Sequence, residues 1–322
     1  VSWRVSIQLL AALLLLGGCA TPWPVPDTSC STNSILIDSH FEGGQLGICS
    51  ITEDGKFELA LIPEDEPPIN PAAWYAFRLS GQPGDSVNIR MTAELAYARY
   101  WPKVSRDGEN WVPLDEMNVR FGDENERMDI ELTLDQASLW LAGQELLTAD
   151  YYNAWLLELD SHAEVTTRLL GQSVEGRPIF LAETPDRPEL ILMMGRQHPP
   201  EVTGAIAMRV FIGSILDDTE LAREFRKRFK LAIIPLMNPD GVAAGHWRHN
   251  VNGVDLNRDW GPFTQPESSS VINWLEAQEA GGRELKLMLD FHSTLEDLFY
   301  TQPITENPPD FASRWLDASA AR

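Results

Sequence analysis

The chain has 322 residues, 43% of them hydrophobic, which is enough for two domains that each have a core of their own. Its formal net charge of −23 argues against nucleic-acid binding, because a polyanion requires a surface rich in Lys and Arg. The same charge suits a dispersed, soluble protein and says nothing about the fold.

The first nineteen residues have the pattern of a signal peptide. Arg4 supplies positive charge, and the apolar run Val5 to Leu16 that follows is too short to span a bilayer comfortably. The closing LGGC resembles the lipobox of bacterial lipoproteins, in which the cysteine is lipidated and becomes the new N-terminus. We therefore expect residues 1–19 to be a lipoprotein signal peptide with Cys19 as the lipidation site, although an ordinary secretory signal would also fit. In bacterial lipoproteins, alanine rather than aspartate after the cysteine favours the outer membrane of a Gram-negative cell, so Ala20 favours a periplasm-facing outer-membrane anchor in the bacterial cell envelope.

Two further cysteines follow the expected anchor. Residues 20–33 are rich in Pro, Ser and Thr, as in a linker between a lipid anchor and a folded body. Outside the cytoplasm, Cys30 and Cys49 favour one disulfide, although two buried free thiols remain an alternative.

Short strands separated by turns are predicted from Ile35 to about Leu134. Alternating β-branched or aromatic runs such as SILID, FELALI, WYAFRL, SVNIRMT and RMDIELTL are separated by turn sequences such as FEGGQLG and SRDGEN. No segment with helical periodicity interrupts them. The pattern predicts an antiparallel β-sandwich domain over residues 34–147.

Helices and strands are predicted to alternate from about Tyr151. The segments DYYNAWLLELDS, PEVTGAIAMRVFIGSIL and LAREFRKRF read as helices, whereas RPIFLAE, ELILMM, KLAIIPL and ELKLMLDFH read as strands. Near-continuous apolar strands that alternate with helices predict an α/β domain with a mixed, largely parallel sheet over residues 148–322. The small residues Gly204, Ala205 and Ala207 are expected to let one helix lie close to this sheet.

Two candidate metal ligands follow the predicted strand ELILMM. His198 lies at the end of the strand, and Glu201 follows after Pro199 and Pro200, which are tolerated in a first helical turn. His292 ends the run LMLDF in the same way, and ligands bind at the carboxyl ends of strands in open α/β sheets. Two histidines and a glutamate form a known catalytic zinc set that leaves a position for water. The spacing alone leaves open that H-x-x-E arises by chance and that His292 merely caps a strand.

Further motifs lie in one order with these candidate ligands. They are GQSVEGRPI (171–179), NPDG (238–241), HWRHN (246–250) and GVDLNRDW (253–260). Over about residues 150–300 the set resembles the zinc carboxypeptidases of the M14 family. The preceding segment, with FEGGQL, WYAFRL and RYWPKVSRDGENW, resembles the N-terminal domain of the cytosolic-carboxypeptidase-like branch. The resemblance implies one Zn²⁺ per chain, held by His198, Glu201 and His292, and a peptide substrate with a free C-terminal carboxylate.

The resemblance also assigns roles to four other residues. Arg248 matches the arginine that polarises the scissile carbonyl and supports the oxyanion, a fixed charge where negative charge develops. Asn257 and Arg258 match the pair that binds the terminal carboxylate of the substrate, for which a guanidinium offers a bidentate fork. Asp255 matches the carboxylate that hydrogen-bonds the first histidine ligand and fixes its tautomer.

The other motif residues are interpreted structurally. The NPDG sequence predicts a turn after the strand LAIIPL, and VEGRP predicts a hairpin turn. His246 and His249 are expected at alternating positions of a strand, as ordinary polar residues.

The general base is expected outside the sequence. The family places this glutamate many tens of residues beyond the last histidine ligand, whereas the sequence ends thirty residues after His292. We therefore expect the base beyond residue 322 and an incomplete catalytic domain. Glu296 and Asp297 are interpreted as loop carboxylates near the rim of the site.

Three functions are compatible with these residues. The leading hypothesis is a zinc-dependent carboxypeptidase that removes C-terminal residues from peptides at the cell envelope and contacts the membrane only through its lipid anchor. A deacylase of the succinylglutamate desuccinylase and aspartoacylase type shares H-x-x-E, DLNR and a late histidine, although VEGRP and NPDG favour the peptidase. A catalytically inactive peptide-binding module is the third. Neither the residue cleaved nor the oligomeric state follows from the sequence.

Overall fold

The computed structural model describes residues 23–66, 72–93, 100–122, 126–294 and 310–320. The expected signal peptide with Cys19 lies outside these residues, and so do the carboxylates Glu296 and Asp297. No helix in the described part of the chain is both long enough and apolar enough to cross a membrane.

Short strands build the N-terminal domain. In chain order they are β1 (Ser29–Ser31), β2 (Leu36–Asp38), β3 (Ile48–Ile51), β4 (Phe57–Ala60), β5 (Ala76–Ser80), β6 (Ser86–Thr92), β7 (Lys103–Ser105), β8 (Trp111–Pro113), β9 (Val119–Phe121), β10 (Arg127–Thr133) and β11 (Ser138–Ala142). They form a six-stranded sheet in the order β1-β2-β5-β11-β7-β8 and a five-stranded sheet in the order β3-β4-β6-β10-β9. Among the described strands of this domain, every pairing is antiparallel except that of β4 with β6. The predicted β-sandwich is confirmed, with one parallel pair.

Alternation along the strands turns one face of each sheet inward. In β6, Val87, Ile89 and Met91 are buried, whereas the alternating residues Ser86 and Asn88 are exposed. The inward side chains of both sheets belong to a single apolar cluster. This is the packing expected when successive side chains of a strand point to opposite faces.

A disulfide joins the two layers of the sandwich. Cys30 of β1 is bonded to Cys49 of β3, with the Cα atoms 6.3 Å apart. These strands lie at the edges of different sheets, so the bond links the sheets covalently. The expected pairing is present, and the alternative of two free thiols is wrong for this structure.

Helices and strands alternate in the C-terminal domain. The elements are α1 (Ala149–Asp160), β12 (Thr166–Gln172), β13 (Pro178–Glu183), β14 (Glu189–Gly195), α2 (Val202–Leu216), α3 (Glu220–Arg228), β15 (Phe229–Ile234), α4 (Pro239–Ala244), α5 (Pro266–Ala280), β16 (Glu284–Phe291) and α6 (Phe311–Ala320). The sheet has the order β12-β13-β15-β14-β16. β14 runs parallel to β15 and β16, whereas β13 is antiparallel to β12 and β15. The predicted mixed α/β sheet is confirmed, and its parallel strands are those that lead to the site.

Both faces of β14 are covered, which explains its uninterrupted apolar sequence. On one face Ile191 and Met193 pack in a cluster with side chains of α1 and α2. On the other, Leu190 and Leu192 pack in a cluster that includes Trp274 of α5. A strand that is buried on both sides has no polar face, so period-two alternation disappears.

The NPDG motif starts a helix, so the prediction of a turn there is wrong. The side chain of Asn238 caps α4 by accepting a hydrogen bond from the backbone N–H of Gly241 at 2.9 Å, and Pro239 occupies the first turn. Asp240 is fully buried and accepts hydrogen bonds from Ser173 and from Arg177, at 2.7 and 2.8 Å. The VEGRP turn and the NPDG helix are therefore joined by hydrogen bonds to Asp240.

The two domains share a packed boundary. Trp74 of the sandwich and Trp247 of the C-terminal domain belong to one apolar cluster. The backbone N–H of Gly43 donates to the carbonyl of Ala243 at 2.9 Å across the same boundary. The loop that carries Arg248 therefore begins at the domain interface.

Candidate metal centre

Three side chains converge at one edge of the mixed sheet. Nδ1 of His198 donates to Oε1 of Glu201 at 2.9 Å, and Nδ1 of His292 donates to Oε2 of the same carboxylate at 2.6 Å. One ligand atom from each residue lies within 4.8 Å of the others. The expected convergence is therefore observed, and it places two imidazoles and a carboxylate around one point.

Parallel pairing brings the two histidines together. His198 lies three residues beyond the end of β14, and His292 directly follows β16. Gly195 is in register with Phe291, so both chains leave the sheet at the same level. Glu201 is the N-cap residue of α2, and its side chain makes no capping hydrogen bond because both oxygens face the histidines. The helix begins at Val202, so Pro199 and Pro200 precede it and do not form its first turn.

Close packing of α2 depends on a residue without a side chain. A Cβ atom on Gly204 would lie 2.4 Å from the carbonyl oxygen of His292. The backbone N–H of Gly204 also donates to Oγ of Ser293 at 2.8 Å. The expectation of close approach holds for Gly204 and for the buried Ala205 but is wrong for Ala207, which is exposed on the solvent side of the helix.

Carboxylates hold the outer nitrogen of each histidine. Nε2 of His198 donates to Asp255 at 3.0 Å, and Nε2 of His292 donates to Asp290 at 2.8 Å. Gln197 also donates to Asp290. The role of Asp290 was missed, although its position two residues before His292 puts it on the same face of the strand.

Arg248 and Asn257 join this group, whereas Arg258 lies at its surface. Nε and Nη2 of Arg248 both contact one oxygen of Asp255 at 2.7 Å. The side-chain amide of Asn257 lies 3.3 Å from Nε2 of His292. Arg258 is exposed, and Nη1 donates to the carbonyl of Asn257 at 3.2 Å.

Charge pairing dominates the electrostatics of the centre. Burial raises the pKa of Glu201, but the hydrogen bonds from His198 and His292 outweigh it and lower that pKa to about 2. Burial lowers the pKa of His292, but Asp290 and Glu201 outweigh it and raise that pKa to about 10. Burial raises the pKa of Asp255, but pairing with His198 and Arg248 outweighs this effect and keeps that pKa well below its ordinary value. The centre therefore keeps its carboxylates ionised at neutral pH.

The loop 246–250 is held by the sandwich domain, which the sequence did not predict. Oε1 of Glu64 accepts hydrogen bonds from the backbone N–H groups of Arg248 and His249 at 2.7 and 3.0 Å, and Oε2 accepts one from Trp247 at 3.0 Å. His249 is buried and bonded to Asp65, so the expectation of an ordinary polar strand residue is wrong. These contacts join residues that are more than 180 positions apart, and no local pattern signals them.

The fold and the site are those of the metallocarboxypeptidase class. The zinc carboxypeptidase family model, peptidase M14, matches residues 152–320, and the cytosolic carboxypeptidase N-terminal domain model matches residues 37–143. The chain belongs to the M14 zinc carboxypeptidase family, and its N-terminal domain is that of the cytosolic carboxypeptidases. The resemblance inferred from the motifs is thereby confirmed.

Similar proteins come from bacteria and animals. The chain is 24% identical over 267 residues to an uncharacterized Zymomonas mobilis protein, covering 80% of this chain and 67% of that protein. It is 26% identical over 280 residues to cytosolic carboxypeptidase 6 of Caenorhabditis elegans, covering 78% of this chain and 60% of that protein. It spans only 42% of cytosolic carboxypeptidase 2 of Danio rerio, at 24% identity, with 82% of this chain covered. The chain is thus shorter than the animal relatives that it matches.

Solved structures of bacterial metallocarboxypeptidases share the fold. The enzyme of Burkholderia cenocepacia superposes with a TM-score of 0.69 at 24% identity, covering 83% of this chain and 72% of that one. The metallo-carboxypeptidase of Pseudomonas aeruginosa gives a TM-score of 0.64 at 22% identity, covering 81% of this chain and 70% of that one.

The donor set fits the zinc ion that the family implies. Two imidazole nitrogens and a carboxylate oxygen face one point, and zinc accepts such ligands while keeping a position open. The remaining nitrogen of each imidazole is bonded to a carboxylate, which is the usual support of a zinc-bound histidine. Zinc would displace the Nδ1 protons that now bridge to Glu201, so we expect proton release on binding.

Proposed function

We propose that this chain is a zinc-dependent carboxypeptidase that removes C-terminal residues from peptides. The observation that carries the proposal is the carboxylate of Glu201, which lies between Nδ1 of His198 and Nδ1 of His292. Asp255 connects this centre to Arg248. One Zn²⁺ per chain would be held by the two histidines and Glu201, and when bound it would polarise a carbonyl and lower the pKa of a bound water.

Arg248 is proposed to stabilise the charge that develops on the scissile carbonyl oxygen. Asp255 occupies Nε and Nη2 of its guanidinium, and Nη1 has no hydrogen bond within the described chain. The side chain is partly exposed, so a substrate can reach it. A fixed donor at this position typically contributes about 10²- to 10³-fold to the rate.

The end of the substrate is proposed to bind next to the histidines. Asn257 lies beside His292, and the exposed guanidinium of Arg258 offers a fork that fits a carboxylate. The Pseudomonas aeruginosa metallo-carboxypeptidase forms a complex with (2-guanidinoethylmercapto)succinic acid, and this supports a site that accepts carboxylates. We therefore propose a peptide with a free C-terminal carboxylate as the substrate.

The proton acceptor for the attacking water is proposed to be a glutamate outside the described residues. Within the described chain, the carboxylates of the centre already hold histidines: Glu201, Asp255 and Asp290. A general base must instead reach the water that attacks the carbonyl.

Paired substrates test the proposed reaction. The protein expressed from its full reading frame should contain about one zinc per chain and should hydrolyse a peptide with a free C-terminus but not the same peptide as an amide. Arg248→Met should lower the rate by about 100-fold or more while zinc content stays unchanged. The matched control Arg106→Met alters a surface arginine of the sandwich and should leave both unchanged.

The alternatives give different results in the same assays. Hydrolysis of N-acyl amino acids without hydrolysis of peptides would establish the deacylase. Binding of zinc and peptide without turnover of either substrate would establish the inactive module. Both outcomes contradict the carboxypeptidase.

We further propose that the protein is anchored to the cell envelope through a lipid on Cys19. The LGGC sequence motivates this, and the disulfide between Cys30 and Cys49 supports an oxidising compartment. Cys19→Ala should release the protein from the membrane fraction, and mass spectrometry of the wild-type membrane fraction should show a lipidated Cys19 as the N-terminus. An intact N-terminus at Val1 in that fraction contradicts the anchor.

A further inference from the structure

Arg196 is a buried cation that lacks an acidic partner. Arg196 is 3% exposed, and its Nη1 donates a hydrogen bond to the hydroxyl of Tyr152 at 3.2 Å. The guanidinium also lies over the Tyr152 ring, 5.7 Å from its centroid. Nε is buried without a hydrogen-bond partner, and no carboxylate in the described chain forms an ion pair with Arg196. Burying a charge without a partner of opposite charge costs free energy, so we expect a further, negatively charged group beside Arg196.

Tyr152 does not supply the missing negative charge. Burial raises the pKa of its hydroxyl to about 12, so the group is neutral at physiological pH. The contact with Arg196 is therefore a hydrogen bond to a neutral oxygen together with a cation–π contact.

The other buried Arg and Lys side chains of the described chain each have an acidic partner. Arg226 pairs with Glu164 at 2.7 Å and donates to the carbonyl of Ile215 at 2.6 Å. Lys230 pairs with Asp186 at 2.9 Å. Arg196 is thus an exception within its own protein.

Arg196 lines a cavity at the domain boundary. It has a volume of about 20 Å³, and its lining includes Trp74, Thr148, Arg196, Val202 and His246. A cavity of this size holds one or two water-sized groups. Glu145 also lines it, but Nζ of Lys103 lies 2.7 Å from both of its oxygens and neutralises it.

The start of α2 suits an anion in this cavity. Val202 is the first residue of the fifteen-residue helix α2, so the positive end of the helix dipole lies at the cavity wall.

We propose that this cavity binds a small monovalent anion, with the Arg196 guanidinium as its main ligand. The expected anion is chloride or a small carboxylate such as formate or acetate, because the cavity has a volume of only about 20 Å³. Its binding neutralises Arg196 and stabilises the boundary between the sandwich and the catalytic domain. The site is separate from the centre formed by His198, Glu201 and His292, and it does not depend on the proposed peptidase activity.

Thermal unfolding of the full chain at constant ionic strength tests the proposal. Replacing gluconate by chloride, formate or acetate should raise the Tm, by about 4 °C when the anion is at a hundredfold excess over its Kd. Sulfate should give no such rise. A response to chloride alone identifies an inorganic ion, whereas a response confined to formate and acetate identifies a carboxylate ligand.

Substitution locates the effect. Arg196→Met should abolish the dependence of Tm on the anion, whereas Arg120→Met, at an exposed position of the sandwich, should keep it. Tyr152→Phe retains the ring and should weaken anion binding, because the hydroxyl no longer holds the guanidinium in place. Crystals of the unmodified protein in bromide should show an anomalous peak beside Arg196, and this measurement does not require any variant to fold.

Three results would overturn the proposal. The first is a Tm that is insensitive to all three small anions. The second is an unchanged anion dependence in Arg196→Met. The third is an ordered water beside Arg196 with neither a bromide peak nor, in crystals grown with formate or acetate, density for a carboxylate.

Discussion

Glu64, on the loop after β4 of the sandwich, accepts a hydrogen bond at 2.7 Å from the backbone N–H of Arg248, which lies 184 residues later in the chain. The same carboxylate binds the N–H groups of the two residues that flank Arg248. The N-terminal domain therefore holds the loop that presents the proposed oxyanion-stabilising arginine. This contact gives the sandwich a role in the geometry of the site.

Removal of this carboxylate should cost stability. In Glu64→Ala three backbone N–H groups at the domain boundary lose their acceptor, and we expect a loss of about 2–5 kcal/mol in the free energy of unfolding. Urea denaturation measures it. Glu66→Ala changes an exposed neighbour on the same loop and should have little effect. Equal stability of the two variants would show that Glu64 does not hold the loop.

Asp255 should matter for metal affinity even though it is not a proposed ligand. It bonds Nε2 of His198, so Asp255→Asn should weaken zinc binding by about 10- to 100-fold. Competition with a chromophoric chelator measures the Kd. Asp218→Ala, at a side chain that is 91% exposed, is the control. An unchanged Kd in Asp255→Asn would contradict the supporting role.

Two glycines of α2 should respond oppositely to alanine. Gly204→Ala places a Cβ 2.4 Å from the carbonyl oxygen of His292 and should destabilise the fold by about 1–3 kcal/mol. It should also weaken zinc binding, because His292 must shift. Gly213→Ala meets no atom within 4 Å and should stabilise the helix by about 0.5–1 kcal/mol. Denaturation of both variants decides the matter, and a stabilising Gly204→Ala would refute the close contact.

Lowering the pH should remove the stabilisation that the ion pairs of Asp186 give to the fold. Hydrogen bonds from Arg283 and then Lys230 lower the pKa of Asp186 to about 2 from its ordinary 3.8. A carboxyl group with a lowered pKa stabilises the fold above its ordinary value, and this contribution is lost as the pH falls toward 2. Asp186→Asn should therefore flatten the change in unfolding free energy between about pH 5 and about pH 3. Asp317→Asn, on exposed α6, should leave the wild-type slope, and a wild-type slope in Asp186→Asn would contradict the prediction.

Features with a short sequence period or a family motif could be predicted. The strand β14 was found because its apolar run is continuous, and the ligands were found because each follows such a run. The helix after NPDG was missed, because Asn-Pro-Asp-Gly suits both a turn and a capped first helical turn. Which of the two forms depends on the burial of Asp240 against Ser173 and Arg177, a tertiary contact.

Contacts between distant segments could not be predicted. Glu64 and Asp65 lie in the acidic run EDE, which reads as a solvated loop until the 246–250 segment is placed on it. Arg196 reads as an ordinary polar residue at a strand end, and only the fold shows that it is buried without an acid. A single sequence carries no signal for such pairings.

The disulfide between Cys30 and Cys49 also decides how the sandwich bears mechanical load. A force that pulls on the chain before Ser29 would act first on β1, a three-residue strand at the edge of its sheet. If only hydrogen bonds held this strand, it would detach from the sheet. The bond transfers the force to β3, at the edge of the other sheet, so that both layers resist together. Tension on the proposed envelope tether would then end in the sandwich, and the strands that carry His198 and His292 would remain free of strain.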